Sequence, residues 1–325
     1  MKNIELHNKQ IQLIFHVYIL SLFFSSSVMA LEIDASYGIK KYEVIYQIGG
    51  QLTLDSGNSG RIRFPISELR FLTDTPIANL KFSHTFRDTW LISISATKNL
   101  TSNSGEMQDS DWGINYYLVD PNAFPRDSLD IYSESRLTLD ALDLKIEFQK
   151  KIAVGFLPLW KVLIGAGILS QRYKFAAFDT VQSYPSTPEK PADIISGKSI
   201  SYRYEARMPF ASTKLTRNIA SQITTTISAA YSPWLKVTDH DDHILRDKTS
   251  TGDSDGWGII LSASLNYAFR PASNVYLAAT YLKTVANGIQ TQKNSSETGT
   301  ISTAKIGLRN TNEQTSLRIG ITHVF

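Results

Sequence analysis

The sequence predicts an all-β fold, specifically a ten-stranded antiparallel transmembrane β-barrel of a bacterial outer membrane. Three observations carry that expectation: an export leader, no helical span behind it, and a two-residue alternation of apolar and polar side chains that ends on a terminal phenylalanine.

The leader comes first. Lys2 and Lys9 flank a weakly basic start, and an apolar run from Ile11 to Phe24 follows. Ser25-Ser26-Ser27-Val28-Met29-Ala30 then offers small residues for cleavage, the order of a secretory signal peptide over residues 1–30. The run is short and interrupted by Gln12 and His16, which argues against the alternative of a retained anchor. Charged or polar residues break every later apolar run well short of the roughly 20 residues a helical span needs. The 325 residues contain no cysteine, so a disulfide framework and a thiolate zinc site are both excluded. A net charge of +3, scattered in sign, gives no case for nucleic-acid binding. With no repeat and no linker, residues 31–325 read as one domain.

The alternation fixes the class. Leu317, Ile319, Ile321, His323 and Phe325 alternate with Arg318, Gly320, Thr322 and Val324, as in a closing strand. The same period runs through Trp90 to Ala96, Leu142 to Phe148, Trp160 to Ile168, Ile219 to Tyr231 and Trp257 to Phe269. Strands of a soluble sandwich also alternate but average about five or six residues, far shorter than these segments. Tight turns are expected near Arg87-Asp88, Lys150 to Leu157, Arg217-Asn218 and Pro271 to Asn274. Longer polar loops are expected at 48–60, 113–127, 179–197, 242–252 and 288–299. Four short turns and five long loops join ten strands, with the short turns and both termini periplasmic and the loops outside.

Two clusters carry chemistry, and this placement puts both at the outer end. One is Asp109-Ser110-Asp111-Trp112. The other, Asp239-His240-Asp241-Asp242-His243, packs three carboxylates and two of the chain's six histidines into five residues. Residues two apart on a strand share a face. Asp109 and Asp111 fall on the lumenal parity of their strand. Asp239, Asp241 and His243 share the parity of the lipid-facing set Ile219 to Tyr231, so they face inward only if a one-residue bulge intervenes. Pro233 is the expected place. With the faces meeting, His243 becomes a competent general base, Asp241 its orienting partner, and Asp109 or Asp111 the group that holds a water against it. Such a water can attack a peptide carbonyl. The bland alternative is two solvated acidic loop tips. A divalent-cation site is a third, but the glycine and oxygen spacing of a calcium loop are absent, and no metal is expected.

At these residues the chain resembles the omptin family, outer-membrane aspartyl proteases built as ten-stranded barrels with an extracellular groove. The family's Asp-x-Asp-Trp and downstream Asp-x-His read here as Asp109-Ser110-Asp111-Trp112 and Asp241-Asp242-His243, with further likeness at Tyr231-Ser232-Pro233-Trp234, Asn274-Val275-Tyr276, Arg172-Tyr173 and Met208-Pro209. The resemblance implies an endopeptidase with Asp109, Asp111, Asp241 and His243 as catalytic residues. It implies an acidic specificity pocket at Glu43 and Asp239 that selects a basic residue beside the scissile bond, and peptides or proteins bearing such residues as substrates. Arg172 matches the family's lipopolysaccharide-binding cluster, and lipopolysaccharide is the one activator implied. Ile168 and Ser170 depart from that cluster, and Glu205 stands where the family has an arginine. The barrel is expected to be a monomer. Two other readings share the fold: a non-enzymatic adhesin or receptor, and a passive pore.

Overall fold

In hydrocarbon a backbone N–H or C=O without a partner costs several kcal/mol, so a membrane sheet must hydrogen-bond its first strand to its last. The chain does this. The structure, a computed structural model, describes residues 30–54, 56–113, 128–155, 157–244, 247–295 and 301–325. Residues 1–29, which carry the expected leader, and most of the loop at 113–127 lie outside them.

Eleven strand segments follow one another: β1 (Ala30–Leu54), β2 (Ser59–Phe86), β3 (Trp90–Asn99), β4 (Asn103–Trp112), β5 (Leu129–Ile152), β6 (Lys161–Ser183), β7 (Asp193–Asn218), β8 (Ile223–His243), β9 (Lys248–Arg270), β10 (Ser273–Ser295) and β11 (Ile301–Val324). All pairings are antiparallel and, β3 and β4 apart, join chain neighbours; β1 pairs with both β2 and β11, which closes the ring. β3 and β4 occupy one position between β2 and β5, so the ring has ten strands.

Two local insertions decide which side chains face in. In the third position Ile77 of β2 stands opposite Asn99, and Thr73 opposite Gly105. Four steps on β2 therefore match six on its neighbour. Two extra residues leave the parity unchanged, so Asp109 and Asp111 point inward as Ser93 and Asn99 do. In β8, Ser232 stands opposite Gly258 and Leu235 opposite Gly256, three steps against two. This single extra residue, at Pro233-Trp234, flips the parity. Below it Ile227 and Tyr231 are exposed; above it Leu235 is 1% exposed while Trp234 is 69% exposed. The bulge expected from the sequence is present, and it turns Asp239, Asp241 and His243 into the lumen.

A 24-residue strand is roughly 80 Å long at ~3.3 Å per residue, whereas the apolar band of such barrels is about 25 Å tall. Much of each strand must therefore stand clear of lipid. The outer wall marks the boundary. Tyr37, Ile39, Leu80, Phe82, Ile146 and Phe148 are exposed on the lower half. Above them run outward ion pairs: Lys41–Asp74 at 3.7 Å, Lys98–Asp140, Arg172–Glu205 at 3.2 Å and Lys283–Glu313 at 3.2 Å. Inside, a layer of rings fills the lumen. Phe71 stacks on Phe175 and Tyr202 with centroids 4.7 and 4.9 Å apart, and Tyr42 meets Tyr173 edge-on at 5.4 Å.

The four tight turns fall where expected, at 87–89, 153–160, 219–222 and 271–272. In three of the expected long loops, 48–60, 242–252 and 288–299, strand takes up most of the described residues: β1 runs to Leu54 and β2 starts at Ser59, β8 runs to His243 and β9 starts at Lys248, and β10 runs to Ser295. The fourth, at 179–197, shrinks to 184–192. Above lipid a strand needs no apolar outer face, so Thr249-Ser250-Thr251 extends the ladder as well as a hydrophobic run does.

Deleting Pro233 removes the extra residue. In this cysteine-free chain, a Val237→Cys probe is expected to be protected from a maleimide in the parent and reactive in the deletion variant; equal protection in both would refute the bulge's role.

Candidate active site

Five carboxylate and imidazole groups crowd the lumen at the end opposite Ala30 and Phe325. Asp109 and Asp111 come from β4, and Asp239, Asp241 and His243 from β8; each is less than a tenth exposed. His243 Nε2–H donates to Asp241 Oδ2 at 2.8 Å. That bond fixes the ring and leaves Nδ1 as its proton-accepting nitrogen. Asp241 itself is 1% exposed.

Asp109 and His243, with three strands between theirs around the wall, line the same small cavity of about 40 Å³, together with Met107, Ser133, Thr180, Ser199 and Ile200. A water needs roughly 10–15 Å³ by this measure, so the space holds one to a few. It is polar enough to keep them. Thr180 Oγ1 lies 2.7 Å from both Ser199 Oγ, which also lines it, and Ser135 Oγ behind, so a chain of hydroxyls reaches the cavity. Asp111 shares the face of Asp109 but does not line this cavity.

Asp239 lies deeper. Asn310 Nδ2 donates to its Oδ2 at 2.8 Å, and Tyr202 Oη donates to Asn310 Oδ1 at 3.1 Å. Gly252 stands directly opposite on β9, and a Cβ there would come within 2.6 and 2.8 Å of the two carboxyl oxygens. Only glycine leaves the carboxyl room. Burial, with added repulsion from Asp241 and Asp253, pushes the Asp239 carboxyl up to about 7; the Asn310 hydrogen bond opposes the rise.

Two expected site residues are elsewhere. Glu43 is on the outer wall, bonded by Arg70 Nε at 2.8 Å and by Arg70 Nη2, while its neighbours Tyr42 and Val44 fill the lumen. It shares the outward parity of Tyr37 and Ile39, and β1 has no register shift until Ile48, so it cannot join Asp239 in a pocket. Arg172 also faces outward, in its ion pair with Glu205. Sequence reasoning missed Thr180, Ser199, Asn310 and Gly252. Thr180 and Gly252 fall in stretches expected to be loop, and Ser199 and Asn310 carry no motif. Among the described residues, no group of three or more His, Cys, Asp or Glu is arranged to hold a metal ion.

The model of the Omptin family matches residues 65–325. The fold is similar to that of the outer membrane protease OmpT from Escherichia coli, with a TM-score of 0.73 and 17% identity over 93% of this chain and 99% of that one. At that identity the likeness speaks for the fold. The outer membrane protein OprG from Pseudomonas aeruginosa aligns at 11% identity over 90% of this chain and 95% of that one, but its TM-score of 0.39 carries no argument. No curated protein sequence matches the chain.

The raised Asp239 carboxyl makes stability depend on pH. The unfolded chain ionises this group near 4 and the folded chain only near 7, so its contribution is full below about 4 and is lost as pH rises through 7. Asp239→Asn is expected to raise the unfolding midpoint of the refolded barrel at pH 8, with the gain vanishing below about pH 4. A gain of equal size at both pH values would contradict the burial argument.

Proposed function

Because the chain belongs to the omptin family, and because one cavity is lined by both an aspartate and a histidine from its two acidic strand tips, we propose that it is an outer-membrane endopeptidase using an activated water. The cavity shared by Asp109 and His243 is the observation that carries this reading.

The chemistry follows from the contacts. A water held by Asp109 gives a proton to His243 Nδ1 as its oxygen attacks the peptide carbonyl carbon. Asp241, hydrogen-bonded at Nε2, stabilises the imidazolium that forms. His243 then passes the proton to the amide nitrogen, and the C–N bond breaks. No covalent enzyme intermediate is needed. Asp111, two residues from Asp109 on the same face, adds a carboxylate to the same end of the lumen. Ser133 and the Thr180–Ser199 pair offer hydroxyls that orient the water and its replacements.

The specificity reading rests on Asp239 alone, since Glu43 faces the wrong way. One carboxylate, two positions before Asp241 on the same inner face, favours a basic side chain next to the scissile bond when ionised. We place the groove on the extracellular side, since the short turns lie at the opposite end. On the outer wall, Arg172, Lys174, Arg203, Arg207 and Lys236 are exposed, with Glu205 beside Arg172, Asp140 opposite Lys174 and Asp255 opposite Lys236, a surface whose excess of cations suits lipopolysaccharide phosphates. Arg172 is the residue we assign to that contact.

The test uses the refolded full chain with lipopolysaccharide and a fluorogenic peptide containing adjacent basic residues. Asp109→Ala and His243→Ala are each expected to cut kcat/KM by at least ~10²-fold, the scale of general-base catalysis. Undiminished cleavage in either variant sinks the mechanism, and no cleavage by the parent sinks the reading. In the parent, preference for a basic over a neutral residue at the cleavage site is expected to rise with pH through about 7, and Asp239→Asn to flatten that rise.

A further inference from the structure

Below the aromatic layer the lumen opens into two adjoining cavities, of about 250 and 440 Å³. They share one wall. Asn79, Lys81, Lys214, Ser228, Ser262 and Arg318 line both. The larger also touches Gln222, beside the turn at 219–222, and Asn274 at the start of β10, so it reaches the end of the barrel that holds the short turns.

The charges facing this space do not all find partners. Lys40 pairs with Asp143, and Lys145 with Glu147 at 2.8 Å. Lys81 reaches Glu32 only at 3.8 Å. The remaining lining carboxylate, Asp34, accepts from Tyr276 Oη at 2.7 Å and Thr322 Oγ1 at 3.4 Å rather than from a cation. Lys214 donates to the neutral Gln149 Oε1 at 2.9 Å. Arg318 has no ion pair or hydrogen bond among the described residues. Three cations, from β2, β7 and β11, thus line a common space whose nearest acids, Glu32 and Glu147, are already paired with Lys81 and Lys145, while Lys214 and Arg318 have no ion pair of their own among the described residues.

We propose that the space between Lys81, Lys214 and Arg318 is a binding site for a small free oxyanion of the phosphate or sulfate class, admitted from the short-turn end. Cations held inside a barrel walled by hydrocarbon are costly without a counter-charge. A guanidinium fork and two ammoniums are the donors that give a tetrahedral oxyanion charge-assisted bonds. Asn79, Ser228 and Ser262 add neutral donors on the same wall. The strand wall separates this site from the bilayer, so a lipid headgroup has no route to it. The ring layer separates it from the acidic end, so it stands or falls apart from the peptidase reading.

Calorimetric titration of the refolded full chain in detergent tests this, with inorganic phosphate, sulfate and chloride compared at equal ionic strength. Saturable binding of phosphate or sulfate is expected, with no matching signal from chloride. Lys214→Gln combined with Arg318→Gln is expected to weaken it at least tenfold while peptide cleavage, if present, is retained. Lys214→Gln alone serves if the double variant does not refold, with a weakening of at least threefold. Equal responses to phosphate and chloride, or unchanged affinity in the variant, would overturn the site.

Discussion

Everything in this barrel depends on the backbone having no free edge. β1 finds β11, each amide in the membrane finds a carbonyl, and the ring is then committed to ten strands. Once closed, it leaves each side chain only two directions, in or out. A single inserted residue reverses that choice for everything beyond it, and two inserted residues restore it. The third strand uses the even insertion and the seventh the odd one. The acidic cluster at one end of the lumen is the product of both.

Much of this was legible in the residues. Alternation from Trp90, Leu142 and Trp257 onward marked the strands, and terminal Phe325 marked closure. The bulge was legible as a contradiction: Ile219 to Tyr231 and Asp239 to His243 share a parity but cannot share an environment, and proline is the residue that most readily interrupts a ladder. Where the reading erred, it used polarity as a sign of loop. Beyond the lipid neither face of a strand has to be apolar, so 48–60, 242–252 and 288–299 were read as loops that the structure shows as mostly strand. Thr180 was missed for the same reason.

Glu43 is a different kind of error. The parity rule, applied from Tyr37 and Ile39, already sends it outward; the family resemblance outweighed that rule and sent it inward. The structure sides with parity. Gly252 and Asn310 could not have been found from sequence, because their importance is a matter of which residue stands opposite Asp239 once the sheet has formed.

The layer of rings that packs the middle of the barrel has a consequence for the cell envelope as a whole. Tyr42, Phe71, Tyr173, Phe175 and Tyr202 are each 3% exposed or less, and they come from opposite walls. A cylinder stoppered in this way can carry solvent-filled chambers at both mouths without becoming a conduit. Each mouth is then free to change its chemistry while the packed layer between them stays as it is.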